Sequence, residues 1–163
     1  MKRKKVPKKI ILGLEEEVKI FLPNGKFVRR KAKIDTGART TAIDISIAKR
    51  IGLGHVYDQF QVQLPKLKIT PDNFKAMRHY VKTVLNPKLK KTIPGLYDID
   101  VLPAANGITV RPYIKFHFHL RNKHIRTIAS VVDRKILIYP VLVGKRDMTG
   151  FLIDPTKNVY KIA

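Results

Sequence analysis

Strict alternation of apolar and polar side chains over residues 113–120 is the feature that most constrains the fold. Its apolar side comprises Ile114, Phe116, Phe118 and Leu120. Successive side chains of a β-strand point to opposite faces, so this period of two predicts a strand with one buried face. If residues 122 and 123 form a two-residue loop, Leu120 lies opposite Ile125 and the apolar face continues into a hairpin.

Further strands are predicted along most of the chain. Residues 18–22 and 27–34 flank a Pro-Asn-Gly turn and read as a second hairpin. Residues 40–47 are β-branched and extended in pattern, and residues 60–69 alternate again. Residues 136–143 form a nearly unbroken apolar run, which is typical of a central strand buried on both faces. A last hairpin is predicted from two short segments, 151–154 and 159–162.

One clear helix interrupts the strands. Thr70 and Pro71 form a favourable start, with Thr70 as the N-cap, and apolar residues follow at helical spacing as far as Leu85. Asn86 and Pro87 are expected to end it. A short helical turn is also predicted just before Gly52. The fold class predicted from the residues is therefore all-β, that is, β-rich with one or two helices.

Length and composition indicate one domain in the cytoplasm. At 163 residues the chain is long enough for a single core, with residues 1–9 as a basic disordered arm and residues 10–163 as the domain. No apolar run approaches the roughly 18 residues that span a bilayer, so no membrane partner is expected. The chain has no cysteine, which suits a reducing compartment and excludes disulfides and thiolate zinc sites.

The net charge of +22 requires a counter-charge or another explanation. RNA, DNA, a membrane or an acidic polypeptide would supply the counter-charge, and a lysine-rich surface adapted to a hot or salty cytoplasm is the alternative. Between Asp72 and Asp98 there is no acid. The basic residues of this stretch are Lys75, Arg78, Lys82, Lys88, Lys90 and Lys91. They form either one solvated helix face or an electropositive docking surface for an acidic partner.

Several chemistries are disfavoured by the motifs. Neither serine lies in a glycine-flanked elbow, and there is no phosphate-binding Gly-rich loop. His117, His119 and His124 share one face of the predicted hairpin, which would allow a zinc site. Lys115, Arg121 and Arg126 share that face and would repel a dication, so neither a metal nor a cofactor is predicted.

The motif Asp35-Thr36-Gly37 carries the strongest chemical signal. A strand that ends here would place a carboxylate at a tight turn, and Gly37 would let a substrate backbone approach closely. Two carboxylates that share a proton can activate a water molecule. The chain has a single Asp-Thr-Gly, so the second carboxylate would come from a second copy in a symmetric dimer. The plainer interpretation is an Asp-capped turn.

The surroundings of this motif resemble a known family. The motif follows a hairpin, and an apolar run into Gly144 lies about a hundred residues downstream, as in the retropepsin-like aspartic proteases. The segments KAKIDTGARTTAID, NGITVRPYI and VLVGKRDMTGFLIDPTKNVY resemble the family labelled "ATP-dependent zinc protease". Some bacterial members of that family are similar to enzymes that trim glutamates from a ribosomal protein.

The resemblance implies a retropepsin-like closed β-barrel that forms one subunit of a two-fold dimer. Asp35 would be the catalytic residue of an aspartic peptidase that acts on acidic, glutamate-rich protein tails. Thr36 would steady the dyad across the dimer axis, and the turn residues Gly37, Ala38 and Thr40 would contact substrate. Gly107 would lie at the tip of a flap. Gly144 would pack beneath the active-site turn, and Arg146 matches an arginine of the family's Gly-Arg-Arg pattern.

Two departures from the family pattern leave a rival function open. Residues 55–105 form a basic, partly helical insert that does not align with the family, and Lys145 replaces the first arginine of the Gly-Arg-Arg pattern. The rival is a basic RNA- or ribosome-binding β-domain without proteolytic activity. A weaker third possibility is a zinc hydrolase built on the three histidines of the hairpin.

Overall fold

A seven-stranded mixed sheet forms the frame of the molecule. The computed structural model describes residues 8–104 and 107–157. The strands are β1 (Ile10–Leu12), β2 (Glu15–Phe21), β3 (Phe27–Asp35), β4 (Ala42–Asp44), β5 (Asp98–Ala104), β6 (Gly107–Leu120), β7 (Lys123–Val132), β8 (Val141–Gly144) and β9 (Phe151–Ile153). Their order in the sheet is β2-β3-β8-β4-β7-β6-β5, and β2 also pairs with β6, so the sheet closes on itself like a ring. β1 and β9 form a separate parallel pair.

Both predicted central hairpins are confirmed. β2 and β3 pair antiparallel around the Pro-Asn-Gly turn, and β6 pairs antiparallel with β7. The predicted register of the second hairpin is wrong by two residues, because Leu120 lies opposite Lys123 rather than Ile125. Arg121 adopts a positive φ of 56°, and the turn consists of residues 121 and 122, one residue earlier in the chain than predicted. A shift of two residues keeps every side chain on its face, so the predicted apolar face is correct.

The structure contains more helix than predicted. Its helices are α1 (Ile45–Arg50), α2 (Gly54–Gln63), α3 (Phe74–Tyr80) and α4 (Asn86–Thr92), with a π-helical turn (Val81–Leu85) between the last two. The strand predicted for residues 60–69 is wrong, because residues 60–63 belong to α2. Phe60 is fully buried, whereas Val62 is 86% exposed. The spacing of Phe60 and Leu64 is also one helical turn, so the short alternation was ambiguous.

Pro87 does not end the helical segment. The π-helical turn allows the N–H of Asn86 to donate to the carbonyl of Val81, and α4 then begins with proline in its first turn. Proline is tolerated in a first turn, where its missing N–H has no intrahelical partner to lose. The predicted start is three residues too early, because α3 begins at Phe74 with Asn73 as its N-cap rather than Thr70. In the turn before the helix, the N–H groups of Thr70 and Asn73 each donate to the other residue's side-chain oxygen.

Only the last part of the apolar run at 136–143 forms a strand. β8 begins at Val141, whereas Ile136 and Ile138 are 94% and 84% exposed. The preceding residues form a loop in which the side chain of Arg134 donates to the carbonyl of Tyr139. Residues 40–47 are likewise extended only as far as Asp44, which caps α1. The second arm of the predicted last hairpin, and residues 1–7 of the basic arm, lie outside the described residues.

The insert at 55–105 shares the core of the sheet. Val56, Phe60, Val81, Leu85 and Leu89 are buried in the same hydrophobic cluster as the strand residues Phe116 and Phe118. The insert therefore packs as part of one core and holds β5 beside β6. Among the described residues, no helix has the length and apolar character needed to cross a bilayer.

Candidate active site

Asp35 is the last residue of β3 and lies beside the centre of the sheet. β3 pairs in parallel with β8, and Asp35 lies opposite Gly144 in their register. One carboxylate oxygen, Oδ1, accepts hydrogen bonds from the N–H groups of Gly37 at 2.9 Å and Ala38 at 3.2 Å. The turn itself thus orients this half-buried carboxylate.

The loop that follows Asp35 is fastened to the segment after β8. The carbonyls of Ala38 and Arg39 accept from the N–H groups of Lys145 at 2.9 Å and Arg146 at 3.2 Å. The buried Thr41 hydroxyl donates to Asp147 at 2.5 Å. These contacts join two parts of the chain that are about a hundred residues apart and fix the loop beside the carboxylate.

Gly144 permits the closest of these approaches. A Cβ atom at this position would lie 2.4 Å from the carbonyl carbon of Thr40, which is far inside van der Waals contact. Gly144 is buried and has an ordinary extended φ of −85°, so space rather than backbone conformation requires glycine. It packs directly against the backbone of the loop that follows Asp35.

A cleft of about 680 Å³ opens at Asp35. It is lined by Asp35, Gly37, Ala38, Arg39, Thr40, Ala42, Leu102, Pro103, Ala104, Arg111, Ser130, Arg134 and Leu142. Asp35 is the one acidic side chain in this lining, against three arginines. The β5–β6 hairpin supplies residues 102–104, so it forms one wall. Gly107, with a φ of +110°, lies opposite Ala104 near the end of this hairpin, and residues 105 and 106 lie outside the described part.

Arg134 is the most constrained of the three cleft arginines. Its backbone N–H donates to Asp44 at 2.7 Å and its Nε donates to the carbonyl of Tyr139 at 2.9 Å. Burial and the positive charge of Arg111 lower its pKa, while Asp44 and Asp35 act in the opposite direction. Arg134 therefore lies within electrostatic range of both Arg111 and Asp35, and the cleft concentrates positive charge around one carboxylate.

Asp44 lines a second pocket, of about 490 Å³, to which Arg134 also contributes, but its role is structural. Its carboxylate accepts from the N–H groups of Ser46 and Arg134 and from the Ser46 hydroxyl. Burial would raise the pKa of Asp44, but these hydrogen bonds outweigh it and the pKa lies below its usual value. A carboxylate engaged in this way serves as a helix cap.

Some residues expected at the site lie outside the cleft. Thr36 is exposed and does not contribute to the lining, and Gly107 does not line it either. Arg146 lines a separate pocket of about 170 Å³ and donates to the Thr127 hydroxyl at 3.3 Å. Thr40 borders both pockets, with its hydroxyl 3.4 Å from that of Tyr113.

The predicted basic patch of the insert is partly neutralised. Arg78 forms two hydrogen bonds with the carboxylate of Asp100, at 2.9 and 3.0 Å. Lys82 lies 2.6 Å from Asp98 and 3.6 Å from Asp100. Asp98 and Asp100 come after the acid-free stretch in sequence, and β5 places them beside its basic residues in space. Lys75, Lys88, Lys90 and Lys91 are exposed, so the uniform electropositive surface is reduced to these lysines.

Three cleft residues, Arg39, Arg111 and Arg134, were not predicted from the sequence. Only Arg39 lies next to the Asp-Thr-Gly motif, and the other two reach the cleft from β6 and from the loop after β7. The position of Arg111 within NGITVRPYI was the one available signal, because the resemblance placed the tip of a flap at Gly107 in that segment.

The three histidines on β6 and β7 do come together. The ring of His124 lies 5.0 Å from that of His119 and 5.9 Å from that of His117, measured between centroids. Across residues 8–104 and 107–157, however, no three His, Cys, Asp or Glu side chains are arranged to hold a metal ion.

Comparison with known proteins adds little to this geometry. No family model and no curated protein matches the chain. One solved structure that matches is the crystal structure of a protein with unknown function (DUF785) from Legionella pneumophila subsp. pneumophila str. Philadelphia 1. It is 16% identical with a TM-score of 0.46, and the match covers 91% of this chain and 94% of that one. A similarity at this level carries no argument about function.

Proposed function

We propose that this protein is an aspartic peptidase-like hydrolase in which Asp35 is the catalytic carboxylate. The observation that carries the proposal is the Asp35 turn itself. A strand ends in a carboxylate that is oriented by two backbone N–H groups and faces a cleft large enough for several residues of a peptide.

The proposed chemistry needs a second carboxylate. Within the described part of the chain Asp35 is the one acid that lines the cleft, so we propose a two-fold dimer in which each copy contributes its Asp35. Two carboxylates in contact share one proton, because both cannot ionise at such short range. The ionised carboxylate would take a proton from water as the oxygen attacks the scissile carbonyl carbon, and the protonated carboxylate would give its proton to the carbonyl oxygen.

The cleft charge supports an acidic polypeptide as the substrate. Arg39, Arg111 and Arg134 line the same cleft, and guanidinium groups bind carboxylates with paired, charge-assisted hydrogen bonds. A glutamate-rich tail would place side-chain carboxylates beside them. This cleft fits an acidic substrate better than the insert does, because Arg78 and Lys82 already have acidic partners.

Peptide cleavage tests the proposal directly. Wild type and Asp35→Asn would be incubated with peptides that end in oligo-glutamate and with mixed-sequence peptides, and the products identified by mass spectrometry. We expect wild type alone to cleave, with glutamate-rich peptides preferred. Analytical ultracentrifugation in the same buffer would establish whether the dimer is present.

Two results would overturn the proposal. Equal cleavage by wild type and Asp35→Asn would remove Asp35 from the mechanism. No cleavage by a confirmed dimer over a broad pH range would leave a protein that binds without cutting. The absence of cysteine supports a cytoplasmic location, which fractionation of cells that express the tagged protein would check.

A further inference from the structure

The exposed face of β2, β3, β6 and β7 combines positive charge with aromatic rings. Register places Lys19 beside both Arg29 and His119, and His119 beside His124. On the same face Phe21 pairs with Phe27, and His117 pairs with Arg126. Both phenylalanines are exposed, at 37% and 47% of their surface.

The aromatic rings of this face are already engaged with cations and histidines. The Nζ of Lys19 lies 5.2 Å from the centroid of the Phe27 ring, and Arg29 lies 5.7 Å from it. The Phe21 ring contacts those of His119 and His124 at centroid distances of 4.9 and 5.6 Å. Phe21 and Phe27 occupy paired positions of β2 and β3, where their rings can act as a stacking platform.

The platform continues toward an exposed tyrosine. A groove of about 320 Å³ is lined by Phe21, Lys115 and His117, among others. Lys115 in turn lies 6.0 Å from the ring of Tyr97, and Lys90 lies 5.5 Å from the same ring. Aromatic and cationic side chains therefore alternate along one path across the surface.

Acidic side chains do not balance this face. β2 presents two acids here, Glu15 and Glu17, and both are engaged within the fold. Glu17 is paired with Arg29 at 2.8 Å, and Glu15 lies opposite Lys33 and accepts a hydrogen bond from the Tyr139 hydroxyl. Desolvation, the charge of Arg126 and the two neighbouring histidines lower the pKa of His124. Part of this effect comes from positive charge on neighbouring side chains of the face, which a polyanion would offset.

We propose that this face, which we call the aromatic-basic face, binds single-stranded nucleic acid, most directly RNA. Phosphates would lie along Lys19, Lys115 and Arg126, and bases would stack on Phe21, Phe27 and Tyr97. An acidic polypeptide would satisfy the charges but would not stack on the ring surface that remains exposed on Phe21 and Phe27. The site is separate from the Asp35 cleft, and the proposal stands whether or not the protein cleaves peptides.

Fluorescence anisotropy with a labelled single-stranded RNA of about 12 nucleotides tests the proposal. The aromatic variant is Phe21→Leu with Phe27→Leu, which keeps apolar bulk and removes the rings. The charge variant is Lys19→Gln with Arg126→Gln. Its matched control, Lys66→Gln with Lys68→Gln, removes the same charge from the exposed loop between α2 and α3. All variants keep the same basic N-terminal residues, so differences report on the folded surface.

We expect the aromatic variant to weaken RNA binding about tenfold at constant net charge. The charge variant should weaken it by a similar factor and reduce its salt dependence, while the control changes it less than about threefold. Asp35→Asn should bind as wild type does.

Four results would overturn the proposal. The first is the absence of RNA binding at physiological salt. The second is equal weakening by the charge variant and its control, which would mean attraction by net charge alone. The third is an unchanged affinity in the aromatic variant, which would mean that the rings do not stack on bases. The fourth is displacement of RNA by polyglutamate at equal charge concentration, which would identify an acidic polypeptide as the occupant.

Discussion

Two regions of the molecule are rich in cations: the helical segment of the insert, formed by α3 and the π-helical turn after it, and the Asp35 cleft. Their charges have different roles. In the insert, Arg78 and Lys82 face Asp98 and Asp100 at ion-pair distance, so their charge is used to hold the helical segment against β5. In the cleft, three arginines line the same surface as Asp35, which is the one acid of the lining. A charged side chain that is paired within the fold stabilises the fold. A charged side chain without such a partner is available to bind a ligand.

The sharpest test of this comparison applies one isosteric change to both regions. Asp35→Asn should reduce peptide cleavage by at least about 100-fold, because it removes the carboxylate that we propose transfers the proton. The stability of the protein should change by less than about 0.5 kcal/mol, since the amide oxygen of asparagine can still accept the N–H groups of Gly37 and Ala38. Product analysis and chemical denaturation measure the two effects. A large loss of stability would mean that Asp35 is chiefly structural.

Asp100→Asn should show the opposite result. The Asp100 side chain is 15% exposed, and its loss would leave Arg78 and Lys82 with weaker partners. We expect destabilisation of about 2 kcal/mol, below the cost for a fully buried pair because Arg78 is 43% exposed. Urea denaturation measures this loss. Cleavage at temperatures well below the midpoint should stay at the wild-type rate, and a matching loss of activity would contradict the separation of the two regions.

The same carboxylate predicts a pH dependence. Burial opposes ionisation of Asp100, but hydrogen bonds from Arg78 and Val101 and the charge of Lys82 outweigh it, so its pKa lies below the usual value. A lowered folded-state pKa stabilises the protein above the unfolded-state value of about 4, and this contribution is lost as the pH falls through the folded-state pKa. The stability difference between wild type and Asp100→Asn should therefore shrink in acid. Denaturation curves from about pH 6 to pH 2 would show it, and a constant difference would assign the effect to packing.

A smaller effect is expected from the cleft arginines. Arg111→Gln should raise the KM for glutamate-rich peptides about tenfold and leave neutral peptides nearly unchanged, because it removes one charge-assisted contact. The Nε of Arg111 donates a hydrogen bond to the Thr109 hydroxyl at 3.1 Å, and the loss of this bond should lower the stability of the protein only slightly. Steady-state kinetics on both substrates measure the change. An equal effect on both would make Arg111 a structural residue of the hairpin.

The smallest effect should come from the exposed lysines of the insert. Lys75→Gln combined with Lys88→Gln removes two charges that have no close acidic partner among the described residues. We expect less than about 0.5 kcal/mol in stability and no change in cleavage. Thermal denaturation and peptide kinetics would check both. A marked loss of cleavage would restore the insert as a docking surface for substrate.

Local patterns predicted the parts of this fold that depend on neighbours in sequence. The β2–β3 and β6–β7 hairpins follow from alternation and turn residues, and the faces of β6 were correct even though the register was not. The prediction failed for residues 60–69, where a spacing of four fits a helix and a strand equally well. It failed again at residues 136–140, because apolar composition cannot show whether a pairing partner is present.

The sequence by itself determined the candidate carboxylate, the glycines around it and the excess of positive charge. Only the tertiary structure decided where that charge is used. Arg39, Arg111 and Arg134 line one cleft with Asp35 because the loop after β3, strand β6 and the loop after β7 all border that cleft. Asp100 reaches Arg78 because β5 lies beside α3. The physical reason is range: hydrogen bonds and ion pairs act over a few ångströms in space, and the chain can bring residues that close from any separation in sequence.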